Sequence, residues 1–195
     1  MTTETTSIAG VLLLRPRIFS DARGRFLETF NSAAFAKATG VAIEPVQDNE
    51  STSHRHVLRG LHFQAHPHAQ GKLVHVVRGA VLDVVVDIRP DSPTRGRHIK
   101  VPLDAAGKAM LWVPPGLAHG FLALEDDTVF AYKCTAYYHQ PAERTIRWDD
   151  PDLAIDWGTD SPIVSDKDRA GMSYQTFLGR SPRFPPACTT PPSSS

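Results

Sequence analysis

Leu73-Val74-His75-Val76-Val77-Arg78-Gly79-Ala80-Val81-Leu82-Asp83-Val84-Val85-Val86-Asp87-Ile88 is the stretch that decides the fold class. It holds two β-branched apolar runs, at 73–77 and 81–88, with the turn signal Arg78-Gly79 between them. Further strand-like runs follow at 99–103, 110–113, 120–124 and 128–135. Pro90-Asp91-Ser92-Pro93, Ala106-Gly107, Pro114-Pro115-Gly116 and Glu125-Asp126-Asp127 punctuate them. Many short strands at this spacing predict an all-β, double-sheet jelly-roll barrel with a few short helices. Several runs are apolar on nearly every residue, as expected where both faces of a barrel wall are covered by other elements or by a second subunit.

Upstream, residues 1–7 are polar and are expected to be loose. Residues 11–15 read as a strand. Asp21-Ala22-Arg23-Gly24 is a turn, and 25–30 alternates into a second strand. Asn31 or Ser32 can cap a short helix through residue 38, with Gly40 in the left-handed position that ends it. Residues 140–170 read as loop, with capping signals at Asp149-Asp150-Pro151 and Ser165-Asp166-Lys167-Asp168, and a short C-terminal helix follows. Residues 1–180 are expected to form one domain. The Pro/Ser/Thr-rich stretch 181–195 is expected to carry no packed structure.

The chain has 195 residues, 21 basic and 21 acidic, for a formal net charge of zero. That balance argues against a nucleic-acid protein, though a local basic cluster would still suit an anionic small ligand. No apolar run approaches membrane-spanning length, and residues 11–14 are too short for a signal-peptide core. Cys134 and Cys188 form no framework and read as free thiols in a reducing cytoplasm, with Cys134 a small core residue.

The chemistry concentrates in Leu58-Arg59-Gly60-Leu61-His62-Phe63-Gln64, in the nearby Gln70-Gly71-Lys72, and in Trp112-Val113-Pro114-Pro115-Gly116-Leu117-Ala118-His119-Gly120-Phe121. So much polarity in strand sequence is expensive unless it faces a ligand cavity. An imidazole and an ammonium held together can remove a proton beside a ketone and stabilise the enolate. His119, placed on the Pro/Gly turn, reads equally as a ligand contact and as a core histidine bonded to backbone. Arg59 and His62 have opposite strand parity, so either Gly60 permits a bulge or Arg59 works from the rim.

Nine histidines require that a metal site be weighed. His66 and His68 form an HxH pair, and Pro114-x-Gly116-x-x-His119 resembles the second motif of the cupin superfamily. Where metal-binding cupins place a carboxylate beyond the HxH, this chain has Gly71, Lys72 and Leu73. A lysine beside a divalent cation is costly, so the metal-free, cofactor-free reading is preferred. His54, His56, His66, His68, His98 and His139 read as surface or loop residues.

Together the motifs resemble the dTDP-4-dehydrorhamnose 3,5-epimerase family, a branch of the cupins, over roughly residues 8–170. They include Asp21-x-Arg23-Gly24-x-Phe26-x-Glu28, Gln47-Asp48-Asn49-x-Ser51, the two blocks around His62 and Lys72, Asp83-Val84-x-Val86-Asp87-x-Arg89, Tyr132-Lys133, Tyr137-Tyr138, Glu143 and Ser165-x-Lys167-Asp168. The resemblance implies inversion at C3 and C5 of dTDP-4-dehydro-6-deoxy-D-glucose. It implies His62 as base, Asp168 as its orienting carboxylate, Lys72 on the enolate oxygen and Tyr132 as acid on the opposite face. Asp83 is a second candidate orienter for His62. The resemblance also implies substrate contacts from Arg23, Phe26, Glu28, Gln47, Asn49, Arg59, His119, Tyr138, Glu143 and Lys167. It further implies a homodimer in which N-terminal strands are exchanged, so that Arg23, Phe26 and Glu28 enter the other subunit's pocket. A close variant would invert C3 or C5 alone. A metal-dependent cupin isomerase or dioxygenase using His62, His66, His68 and His119 is the reading from another class, and a non-catalytic nucleotide-sugar binding module is a third.

Overall fold

The computed structural model describes residues 1–180; the stretch expected to be unpacked at 181–195 lies outside them. The two runs flanking Arg78-Gly79 become strands of different sheets, so that turn carries the chain across the barrel. The first sheet has the order β1 (Thr2–Thr5), β2 (Leu12–Arg15), β10 (Met110–Val113), β7 (Lys72–Arg78), β12 (Thr128–Cys134) and β5 (Gln47–Ser53). The second has the order β13 (Glu143–Thr145), β6 (Val57–Gln64), β11 (Leu117–Ala123), β8 (Ala80–Asp87) and β9 (His98–Asp104), with β14 (Ile163–Val164) lying parallel to β6. A separate hairpin pairs β3 (Ile18–Asp21) with β4 (Gly24–Leu27). The helices are α1 (Ser32–Thr39), α2 (Asp166–Arg169) and α3 (Tyr174–Gly179), with one 3-10 turn at Gln140–Ala142. None is long and apolar enough to cross a membrane among the described residues.

Strand parity divides the apolar residues between three clusters. On β8, Val81 and Val85 face the space between the sheets, while Val84 and Val86 face outward. The inner cluster adds Val74, Val76, Leu111, Leu117, Phe121 and Phe130. The outer face of the second sheet is covered by Ile146, Leu153, Trp157 and Phe177 from the C-terminal third. The outer face of the first is covered by Phe35 of α1, which meets Trp112 edge-on at 5.5 Å. The near-continuous apolar strands are therefore explained by walls covered on both sides. Each fully buried side chain of this size contributes about 1.5–3 kcal/mol.

Helix α1 starts where Asn31 Oδ1 accepts from Ala34 N at 3.0 Å and ends at Gly40 with φ 72°, as its sequence predicts. Several expectations need correction, including the loop reading of 140–170, which holds a 3-10 turn, β13, β14 and α2, and one strand forms that the sequence did not signal. Residues 1–7 are not loose throughout, because Thr2–Thr5 pairs residue for residue with Leu12–Arg15; four β-chain partners supply what composition did not reveal. Gln47–Ser53 is a strand although it contains no aliphatic residue, because its backbone is ordered by a seven-residue ladder to β12. His119 lies inside β11, which begins at Leu117, and not on the preceding turn.

At the end of β8, Asp87 is fully buried. Its carboxylate accepts from Arg89 at 2.7 and 2.9 Å, and from the Ser92 and Thr94 hydroxyls at 2.6 Å each. Burial pushes its pKa up, but Arg89, Ser92 and Thr94 outweigh that and hold it below the usual value. Asp87→Ala should therefore cost about 3 kcal/mol in urea unfolding, since it leaves Arg89 unpaired. A carboxyl depressed in the folded state stabilises above its unfolded pKa. The gap between wild type and variant should thus close as pH falls below about 4.

Candidate active site

The site is built from residues of six strands, β5, β6, β7, β11, β12 and β13, and from α2. On β6, Leu58 and Leu61 face the outer cluster while Arg59 and His62 face the interior. That is incompatible with an unbroken alternation. The register resolves it: His62 pairs with His119 and Arg59 with Phe121, so three steps on β6 oppose two on β11. The extra residue is Gly60, at φ 143°. A Cβ there would lie 2.6 Å from Gly120 Cα, so only glycine fits. A bulge leaves backbone groups outside the ladder, and Gly60 N donates to Asp168 Oδ2 at 3.3 Å. Of the two explanations for Arg59, the bulge is the one found.

Asp168 is thereby held at both oxygens, because Oδ1 lies 2.5 Å from His62 Nε2. Ser165 Oγ accepts from Asp168 N at 3.2 Å and caps the turn that presents the carboxylate. Burial acts to raise the Asp168 pKa, but the His62 contact and the Gly60 N–H prevail and hold it low. Asp83 is not available to His62. Both its oxygens meet His119 Nε2, at 3.0 and 2.9 Å, and both residues are buried. The adjacent strands β6 and β11 thus each carry a histidine bonded to an aspartate, His62 to Asp168 of α2 and His119 to Asp83 of β8.

Lys72 opens β7 and Tyr132 lies on β12, both facing inward. The ammonium lies 5.9 Å from the Tyr132 ring centroid. Burial pushes the Lys72 pKa down, against the opposing carboxylates of Asp83 and Glu143. Burial pushes the Tyr132 phenol up, with Cys134 adding to it. A less hydrated ammonium is a stronger partner for a developing oxyanion. A phenol kept protonated is a proton donor.

These groups line one cavity of about 320 Å³, together with Arg59, His119, Glu143, Lys167 and Asp168. A second lobe of about 240 Å³ shares His62, Lys72, Tyr132 and Glu143 and adds Gln47, Asn49 and Tyr138. Glu143 joins the lobes: Tyr138 Oη donates to its Oε2 at 2.9 Å, and Lys167 Nζ to its Oε1 at 2.5 Å. Eleven of the fourteen residues singled out in the sequence meet here. Arg23, Phe26 and Glu28 do not. Arg23 and Phe26 sit on the β3–β4 hairpin, where Phe26 is 70% exposed, and Glu28 accepts from Asn31 Nδ2.

Sequence reading assigned no individual site role to Ser51, Phe121, Phe130 and Ser165 in the first lobe or to Gln64, Gln70 and Cys134 in the second. Parity could have found two of them, since Ser51 shares a face with Gln47 and Asn49, and Phe130 with Tyr132. His68 and His139 stack at 3.7 Å outside both lobes. Among the described residues no three His, Cys, Asp or Glu side chains are grouped to hold a metal ion.

A jelly roll enclosing a polar cavity lined by a histidine–aspartate pair, a lysine and a tyrosine has the architecture of a cupin-like isomerase. The family model for dTDP-4-dehydrorhamnose 3,5-epimerase matches residues 5–176. The chain is 51% identical over 164 residues to the Escherichia coli K12 enzyme of that name, covering 84% of this chain and 89% of that one. A Legionella pneumophila structure of the epimerase in complex with dTDP-4-keto-L-rhamnose superposes with TM-score 0.89 at 41% identity, covering 94% and 98% of the two chains. A 3'-monoepimerase from Streptomyces bikiniensis in complex with dTDP-quinovose gives 0.84 at 40% identity, covering 89% of each. The chain belongs to the dTDP-4-dehydrorhamnose 3,5-epimerase family.

Proposed function

We propose that this protein inverts C3 and C5 of dTDP-4-dehydro-6-deoxy-D-glucose to give dTDP-4-dehydro-L-rhamnose. The observation that carries the mechanism is the sharing of one cavity by His62, Lys72 and Tyr132. The C4 ketone acidifies the protons on its neighbouring carbons. His62 removes one, while Asp168 fixes the ring's orientation and balances the charge it gains. Electrons move into the C4–O bond, and Lys72 faces the enolate oxygen. Tyr132 delivers a proton to the opposite face, so the carbon inverts. The second carbon follows by the same cycle.

Arg59 supplies a planar cation for the diphosphate. Tyr138, steadied by Glu143, offers a flat surface for the base. The β3–β4 hairpin supports a homodimer reading with N-terminal strand exchange. Its Phe19 and Phe26 are exposed, Arg23 sits between them in sequence, and none of them contacts the cavity of their own chain. A second copy would bring Arg23, Phe26 and Glu28 to the nucleotide. A monomer by sedimentation at assay concentration would remove that part. The cytoplasm is the proposed compartment.

Turnover in heavy water, followed by NMR of the sugar, tests the reaction. Deuterium should enter at both C3 and C5. Exchange at one carbon alone would instead place the protein with its monoepimerase relative. NADPH oxidation by a reductase of the rhamnose pathway should depend on this protein. Lys72→Ala should lower kcat by about a hundred-fold or more, the loss typical for one oxyanion donor, with a smaller change in KM.

A further inference from the structure

Three buried side-chain polar atoms have no hydrogen-bond partner among the described residues: Ser51 Oγ, Arg95 Nε and His139 Nδ1. Orphaned polar atoms are uncommon and usually have a reason. Only Ser51 belongs to a residue lining the cavity of His62, Lys72 and Tyr132.

The strand that carries it sharpens the anomaly. Gln47, Asn49, Ser51 and Ser53 alternate onto the inner face of β5. The other three are all bonded. Tyr138 N donates to Gln47 Oε1 at 2.8 Å, and Gln47 Nε2 donates to Asn49 Oδ1 at 2.9 Å. Asn49 Nδ2 lies 3.6 Å from Cys134 Sγ, and Arg59 Nε donates to Ser53 Oγ at 3.2 Å. Ser51 stands between the amide pair and the Arg59-bearing serine, opposite Phe130 in the ladder. A buried hydroxyl with no bonding partner among the described residues costs stability.

We propose that Ser51 is a substrate-binding residue whose Oγ–H donates to an oxygen of the bound nucleotide sugar. A turn about χ1 moves the hydroxyl between staggered wells, and the ligand supplies the partner it lacks. The proposal rests on the cavity being the nucleotide-sugar site. The acceptor oxygen belongs either to the diphosphate or to the sugar.

Ser51→Ala tests it with three readouts on the full chain. The melting temperature without ligand should stay level or rise, because an unbonded hydroxyl is removed. KM for the 4-keto sugar nucleotide should rise about ten-fold, with most of the loss in KM, as for an interaction made alike in ground and transition states. Titration with dTDP locates the acceptor: weaker dTDP binding assigns it to the diphosphate, and unchanged dTDP binding with raised KM assigns it to the sugar. Unaltered KM and dTDP affinity would overturn the proposal, as would a lowered melting temperature with unaltered KM, which marks a structural hydroxyl. Failure of wild type to bind dTDP would instead overturn the reading of the cavity.

Discussion

His62→Ala is expected to lower kcat by about a thousand-fold while dTDP affinity changes by no more than about two-fold. Positioned general bases contribute roughly 10²–10⁴-fold, and this imidazole is positioned by more than sequence proximity. Its Nε2 lies 2.5 Å from a carboxylate that a backbone N–H also holds. A general base acts on the transition state, so its loss should appear in kcat and leave ground-state nucleotide contacts intact. Removing the ring strands the Asp168 carboxylate, so His62→Asn, which keeps a donor for it, is the companion variant. Both should lose turnover. Stopped turnover with intact circular dichroism and dTDP binding is the expected pattern. Retention of even a tenth of wild-type kcat in both variants would remove His62 from the mechanism.

Tyr132→Phe separates proton removal from inversion. With the base intact, the carbon acid still ionises. Without the phenol, the enolate is reprotonated from the face it came from, by the imidazolium that holds the proton. The variant should exchange substrate protons with heavy water at a measurable rate while product formation falls by a thousand-fold or so. NMR of one reaction mixture reads both, as deuterium in recovered substrate and as the appearance of the epimer. Inversion at an undiminished rate would assign the acid elsewhere, and His119, also on the cavity wall, would be the group to test.

Much of this was legible from the chain alone. The runs around Arg78-Gly79 announced strands because short, near-continuous β-branched runs bounded by turn signals suit strands covered on both faces. The cap residues of α1 announced its ends. His62, Lys72, Tyr132 and Asp168 were legible through motif order, although sequence could not bring residue 168 to residue 62. That contact depends on α2 folding back over β6. Parity was a good guide wherever strands were regular and misleading at Gly60, where one inserted residue reverses the phase. The polar strand β5 was illegible for the opposite reason. Its order comes from the ladder to β12, which side-chain hydropathy does not encode. Asp83 pairs with His119 and not with His62, because a fully buried carboxylate requires a partner but does not name it.

That polar strand has an evolutionary implication. Gln47–Ser53 is secured mainly through main-chain ladder bonds on one margin of its sheet, and none of its inward side chains belongs to an apolar cluster. Selection can therefore redraw this margin, residue by residue, with little penalty to folding. Diversification toward new sugars should leave its record along β5, while the valine-rich strands opposite stay fixed.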